Sequence, residues 1–359
     1  MPTFRPDLDT IPRYIPGKPV EEVARELGID SIDKLASNEC PEPPFPEVLD
    51  AINAAAADVN RYPDSSGFAI TRAIGSLYDI DPSNIWAGAG SSELLRCMAL
   101  SVGGPGTSFV FANPSFVMYI IGARISGSEP IMVPLTASFD HDLEAMADAI
   151  RDDTSLVFVC NPNNPTGNIR SADDVRAFID SVPERVTVVV DEAYAEYVTD
   201  PSYATMIPEA LDRPNVVVAR TFSKIYGLAG LRVGYVIGDA DLLLKLRTTQ
   251  APFSVNSVAQ LAAIEAIKHQ GRVTERRDAN AAGRDALTAG LTERGFAVAP
   301  SQANFVYLEP DGSPAELADA LMQEGVIVRP LGPGLRISVG TPDENEHFFT
   351  AWDSVMAHA

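Results

Sequence analysis

Five short apolar runs rich in β-branched residues, each separated by a helical stretch, constrain this chain more than any other feature. They are Ser108–Phe111, Leu156–Cys160, Val186–Val190, Val216–Ala219 and Val233–Ile237. Their apolar character is near-continuous rather than alternating, as in strands covered on both faces. Between them lie helical patterns such as Leu94, Leu95, Met98, Ala99 and Val102. This rhythm predicts an α/β fold built on a mostly parallel, doubly wound sheet.

The 359 residues exceed what one such unit needs, at about 150 residues per domain. A helical region near Ala259–Lys268 leads out of the sheet, and the remainder alternates helices with short strands such as Ala303–Leu308 and Leu335–Val339. The expected division is a large domain over 45–265 and a smaller α+β domain formed by 1–44 with 266–359. In the N-terminal part, Val20–Leu27 reads as a short helix. The proline-rich run 41–46 reads as an extended connector, because proline fixes φ and interrupts helices.

Charge and cysteine content narrow the partners. A formal net charge of −22 argues against nucleic acid and anionic membranes, which need a basic face. No run of about 18 apolar residues is present, so no membrane span is expected. The first ten residues lack the apolar segment of a signal peptide. Cys40, Cys97 and Cys160 are odd in number and widely spaced, as expected of reduced thiols in the cytoplasm. The four histidines form no ligand pair, and no metal site is expected.

Ligands of open α/β sheets bind beyond the carboxyl ends of the strands. After Leu156–Cys160 comes Asn161-Pro-Asn-Asn-Pro-Thr-Gly167, and after Val186–Val190 comes Asp191-Glu-Ala-Tyr194. After Val216–Ala219 come Ser223, Lys224 and, beyond a glycine-rich turn, Arg232. An amide, a carboxylate, a phenol and an amine therefore face one rim. Pyridoxal 5′-phosphate (PLP) requires such a set: an amine for its aldehyde, a carboxylate for its ring nitrogen, and donors for its ring oxygen and phosphate. Of the five lysines, Lys224 alone follows a buried-strand pattern beside a glycine-rich turn. Upstream, Gly88 and Gly90 precede Ser91 and Ser92 at the start of the Leu94 helix, where free N–H groups suit a phosphate.

These segments together resemble the fold-type I PLP aminotransferases, in particular the histidinol-phosphate aminotransferase group. The resemblance runs from Tyr14-Ile-Pro-Gly-Lys18 to Leu335-Arg-Ile-Ser-Val-Gly-Thr341. It implies that Lys224 is the Schiff-base lysine and proton shuttle. It further implies that Asp191 partners the ring nitrogen and that Asn164 and Tyr194 donate to the ring oxygen. Ser91, Ser92, Ser223 and Arg232 take the phosphate roles, and Phe116 the aromatic that stacks on the ring. Tyr62 matches a tyrosine that reaches the phosphate of a neighbouring subunit, which implies a homodimer. Arg336 matches the arginine that grips the substrate's anionic group, with Tyr14, Asn38 and Arg329 as further substrate-side candidates.

The reaction implied moves an amino group from a small amine donor to a 2-oxo acid. Histidinol phosphate is the first donor implied. Phenylalanine is the alternative, because Pro43–Leu49, Asn60–Asp64, Ser301–Val306 and Val328–Pro330 also resemble actinobacterial phenylalanine aminotransferases. A PLP decarboxylase shares much of the same cradle. Two departures bear on substrate choice: Ser92 stands where an acid is common, and Cys40 with the following Pro-Glu-Pro-Pro replaces the usual Asn-Glu-Asn-Pro pattern.

Overall fold

The valine-rich runs bury both of their faces. In the computed structural model, which describes residues 3–4, 6–13, 17–29 and 31–358, Val188 and Val190 point into one apolar cluster while Val189 points into another. Val216 and Val218 alternate with Val217 and Ala219 in the same way. Two cores, one on each side of a sheet, explain why these runs carry no polar alternation.

In chain order the strands are β1 (Asp33–Lys34), β2 (Ile85–Gly88), β3 (Ser108–Asn113), β4 (Glu129–Pro134), β5 (Thr154–Cys160), β6 (Thr187–Asp191), β7 (Val216–Thr221), β8 (Gly234–Gly238), β9 (Phe305–Leu308), β10 (Val326–Ile327), β11 (Arg329–Leu331) and β12 (Gly334–Ser338). The central sheet has seven strands in the order β2-β8-β7-β6-β5-β3-β4. Strand β8 runs antiparallel to both of its neighbours, and the other pairings are parallel. The expected α/β fold with a mostly parallel sheet is therefore observed. Helices cover both faces, among them Ser91–Val102 and Met118–Ser126 on one side and Ala172–Ser181 and Ser257–Ile267 on the other.

The 24-residue helix Gln270–Glu293 carries the chain away from the sheet. Its Val273 belongs to the large core, and its Leu287 and Leu291 to a third cluster built on β9, β12 and the C-terminal helix Pro342–Ala357. Strands β11, β12 and β9 form a small antiparallel sheet, and β1 from the N-terminal part pairs in parallel with β10. Leu335, Ile337, Val306 and Leu308 face the third cluster. By strand alternation, Arg336, Ser338, Phe305 and Tyr307 lie on the opposite face. The helix Val20–Leu27 ends at Gly28 in the left-handed region, and Pro46 opens the helix Pro46–Ala55 where the proline-rich run ends.

Candidate active site

Asp191 ends β6, and β6 pairs in register with β7, placing Asp191 opposite Ala219. Lys224 follows five residues after Ala219, so both groups reach the same rim. A buried ion pair ties these strand ends together. Arg220 donates to Glu192 at 2.6 Å, and Glu192 also accepts from the Met206 N–H and the Thr205 hydroxyl. Such a pair adds little net stability over an apolar pair, but it specifies geometry when its hydrogen bonds are complete.

The Asp191 carboxylate is 1% exposed. Its Oδ2 accepts from the Tyr119 hydroxyl at 2.9 Å and its Oδ1 from the Ala193 N–H at 3.2 Å. Burial pushes the carboxyl up to about 6; the Tyr119 and Ala193 hydrogen bonds and the Lys224 charge oppose that rise, while Glu192 adds to it. Lys224 Nζ donates to the Ser37 carbonyl at 3.2 Å and lies 5.5 Å from the Tyr194 ring centre. Burial draws its amine down to about 7, aided by Arg336 and Arg232 and resisted by Glu39 and Asp191. A lysine so depressed is partly neutral at neutral pH, as a nucleophile and proton acceptor must be.

Tyr194 stands between the N-terminal part and the β5 strand end. Its hydroxyl accepts from Asn38 Nδ2 at 3.0 Å and from Asn164 Nδ2 at 3.2 Å. With both acceptor positions used, its own proton is left to donate elsewhere. Asn164 Oδ1 in turn accepts from Arg336 Nη1 at 2.6 Å, and Arg336 Nη2 donates to the Ala36 carbonyl at 2.7 Å. The guanidinium lies 5.4 Å over the Phe305 ring. Asn38, in the left-handed region at φ 52°, is held by Ser338 and Asn304.

The anion cradle is compact. Gly90, at φ 83°, precedes the helix Ser91–Val102, whose first N–H groups lack intrahelical partners. A Cβ on Gly90 would meet Arg232 Nη2 at 2.5 Å, and one on Gly234 would meet the Ser91 nitrogen at 2.8 Å. Glycine at both places lets the arginine, the helix start and β8 converge. Arg232 Nη1 donates to Ser223 Oγ at 3.4 Å. Glu93 fixes the turn by accepting from the Ala89 N–H at 2.7 Å and from the Ser254 hydroxyl.

The structure thus links Asn38, Tyr194, Asn164 and Arg336 in one hydrogen-bond network, sets Lys224 beside the Tyr194 ring and Asp191 on the neighbouring strand end, and places Ser91, Ser92, Ser223 and Arg232 around one turn. Phe116 is partly buried and meets Tyr119 edge-on at 5.9 Å. Arg329 is the register partner of Arg336 in the small sheet, and directly paired residues share a face. Tyr62 stands apart, 82% exposed and stacked on Phe253 at 4.6 Å. Tyr14 lies outside the described residues. Sequence reasoning missed Tyr119, Phe305, Ser338 and the Ser37 carbonyl. Only Tyr119 carried a readable signal, an aromatic one helical turn beyond Phe116.

This donor set fits PLP. It offers a depressed amine, a buried carboxylate that a protonated ring nitrogen would stabilise, a phenol with a proton to give, and a glycine-lined cradle closed by an arginine. A doubly wound sheet carrying that set at its rim defines a fold-type I PLP enzyme. The chain belongs to the class I and II aminotransferases, whose family model matches residues 31–351. It is 40% identical over 357 residues to histidinol-phosphate aminotransferase 2 of Hydrogenovibrio crunogenus, covering 98% of this chain and 95% of that protein. It is 43% identical over 351 residues to the aromatic amino acid aminotransferase of Thermobifida fusca, covering 97% and 96%. The crystal structure of histidinol-phosphate aminotransferase from Sinorhizobium meliloti in complex with PLP superposes with a TM-score of 0.91 at 29% identity, covering 99% of this chain and 98% of that one. The chain is a PLP-dependent transaminase.

Proposed function

We propose that the enzyme transfers the amino group of histidinol phosphate to 2-oxoglutarate. The observation that carries this reading is the pairing of Arg336 with Arg329 across β11 and β12, two guanidinium-bearing positions on one face of the small sheet. Paired guanidinium groups suit a phosphate at one end of a donor and a carboxylate at the end of an acceptor. A second reading, an aromatic amino acid as donor, is favoured by the 43% identity to the Thermobifida fusca enzyme and by the Phe305 ring set against Tyr194 at 5.1 Å. Competition of histidinol phosphate with phenylalanine in one assay tests the choice. The proposal expects kcat/KM to favour histidinol phosphate. A preference for phenylalanine above about tenfold, or about 1.4 kcal/mol of transition-state discrimination, overturns it. Release of carbon dioxide without any 2-oxo acid would instead identify a decarboxylase.

PLP supplies an aldehyde that takes up the amino group and a protonated ring that draws electrons from the substrate Cα. The chain's residues do the rest. Lys224 Nζ would accept the substrate Cα proton, hold it, and give it back, acting as the proton shuttle of the transfer. Asp191 holds the proton on the ring nitrogen by its charge. Tyr194 and Asn164 steady the ring oxygen, while Ser91, Ser92, Ser223 and Arg232 hold the phosphate. Arg336, braced by Asn164, orients the substrate's anion. Donor and acceptor use one site in turn, so the kinetics are ping-pong.

The proposed working unit is a cytoplasmic homodimer in which Tyr62 completes the partner's phosphate site. Its exposure beside Phe253, and the absence of any disulfide among the three free cysteines, support that reading. The proposed domains are 45–265 and the remainder, joined by the long helix.

A further inference from the structure

Tyr119 is fully buried on the helix Met118–Ser126. Its ring stacks on Phe158 at 4.4 Å and 12°, and meets Phe111 and Phe116 edge-on at 6.0 and 5.9 Å. Packing alone asks for phenylalanine here, as at those three neighbours. A hydroxyl placed among them costs free energy unless it finds a partner. Its partner is the Asp191 carboxylate, at 2.9 Å.

We propose that Tyr119 is a positioning residue for Asp191: its O–H fixes Oδ2 and keeps the carboxylate ionised to meet the protonated ring nitrogen of the cofactor. The inference rests on reading this rim as a PLP site. The groups facing Asp191 are the Ala193 N–H, the charges of Glu192 and Lys224, and the uncharged Tyr119, Tyr194 and Cys160. Burial and Glu192 oppose ionisation, so the hydrogen bonds and Lys224 must offset them. An arginine in place of Tyr119 would neutralise the carboxylate. A phenol donates one hydrogen bond, adds no charge, and leaves acceptor capacity on both oxygens. The aromatic stack gives the ring no freedom to turn away, so the hydroxyl is pre-set.

The test is Tyr119→Phe, which keeps the ring and deletes the donor. The readout is the PLP dissociation constant of apoprotein across about pH 5.5 to 8.5, a range that brackets the titration of a buried carboxyl. A hydrogen bond to a charged group is lost, so binding at about pH 7.5 should weaken by about tenfold or more. The pH below which binding fails should rise by about one pH unit, since Asp191 becomes easier to protonate. An unchanged affinity profile overturns the inference, as does a uniform loss with no movement along the pH axis, the mark of a packing role only. Should the Phe variant not fold, Tyr119→His takes its place. Its ring N–H can still donate, so an acid limb at the wild-type position supports the inference and one displaced by a full pH unit counts against it. Wild-type protein that binds no PLP would instead sink the underlying reading of the site.

Discussion

At the scale of single residues, the site stores free energy in Asp191. Its folded-state pKa is raised above that of an exposed carboxylate, to about 6. Folded apoprotein therefore binds more protons than unfolded chain between about pH 4 and 6, and stability falls as pH rises through that window. Asp191→Asn removes the charge while its amide oxygen still accepts from Tyr119. Apo Asp191→Asn should be more stable than wild type near pH 7.5 by up to about 3 kcal/mol, since each pH unit by which the carboxyl is raised costs about 1.4 kcal/mol. It should also bind PLP more weakly. Denaturant melts of the two apoproteins at about pH 5 and about pH 7.5, either side of the titration, check this; equal stability at the higher pH contradicts it. Lys224, Asp191, Tyr194 and Asn164 were singled out because each follows a buried strand, whereas Arg336, inside β12, was singled out only by the family resemblance. Tyr119 was not assigned a role: its spacing from Phe116 marks an aromatic on the same helical side, but its contact to Asp191 spans 72 positions and no local pattern reveals it.

At the scale of elements, the cradle depends on a turn in which side chains must be missing. Gly90→Ala places a Cβ 2.5 Å from Arg232 Nη2 at a backbone φ of 83°. The variant should lose about 1–3 kcal/mol of stability from backbone strain. Its PLP affinity should fall by about tenfold or more as Arg232 is displaced. Thermal melts with and without PLP measure both, and unchanged affinity contradicts this origin of the turn. The Gly-Ala-Gly-Ser-Ser sequence announced the turn and the helix after it. Strand β4 was not announced, for a physical reason. It is the sheet edge, paired only with β3, and it contains Pro130 and Pro134 with Glu129 and Met132 exposed. Prolines and charge are tolerated at an edge, and they erase the apolar signature of buried strands. The helix Gln270–Glu293 was only half legible, because its first turns pack on one core and its last on another.

At the scale of the molecule, hydrogen bonds of the site tie the N-terminal part and the small sheet to the strand ends of the central sheet: Asn38 to Tyr194, Asn164 to Arg336, Lys224 to Ser37. The overall acidity and the α/β rhythm were legible early, whereas the face of the small sheet that carries Arg336 appeared only once the strands were paired. Among the described residues no helix is long and apolar enough to cross a membrane. Tyr62 extends the prediction to assembly. Wild type should sediment as a dimer, and Tyr62→Ala should bind PLP less tightly while the chain stays folded; a wild-type monomer with full activity contradicts the assembly. The most direct measurement is borohydride reduction of the PLP-loaded enzyme followed by peptide mass mapping. One phosphopyridoxyl group per chain, on the peptide bearing Lys224, is the expected result. The same mass on Lys18, Lys34, Lys245 or Lys268, or on no lysine at all in active enzyme, would contradict the account.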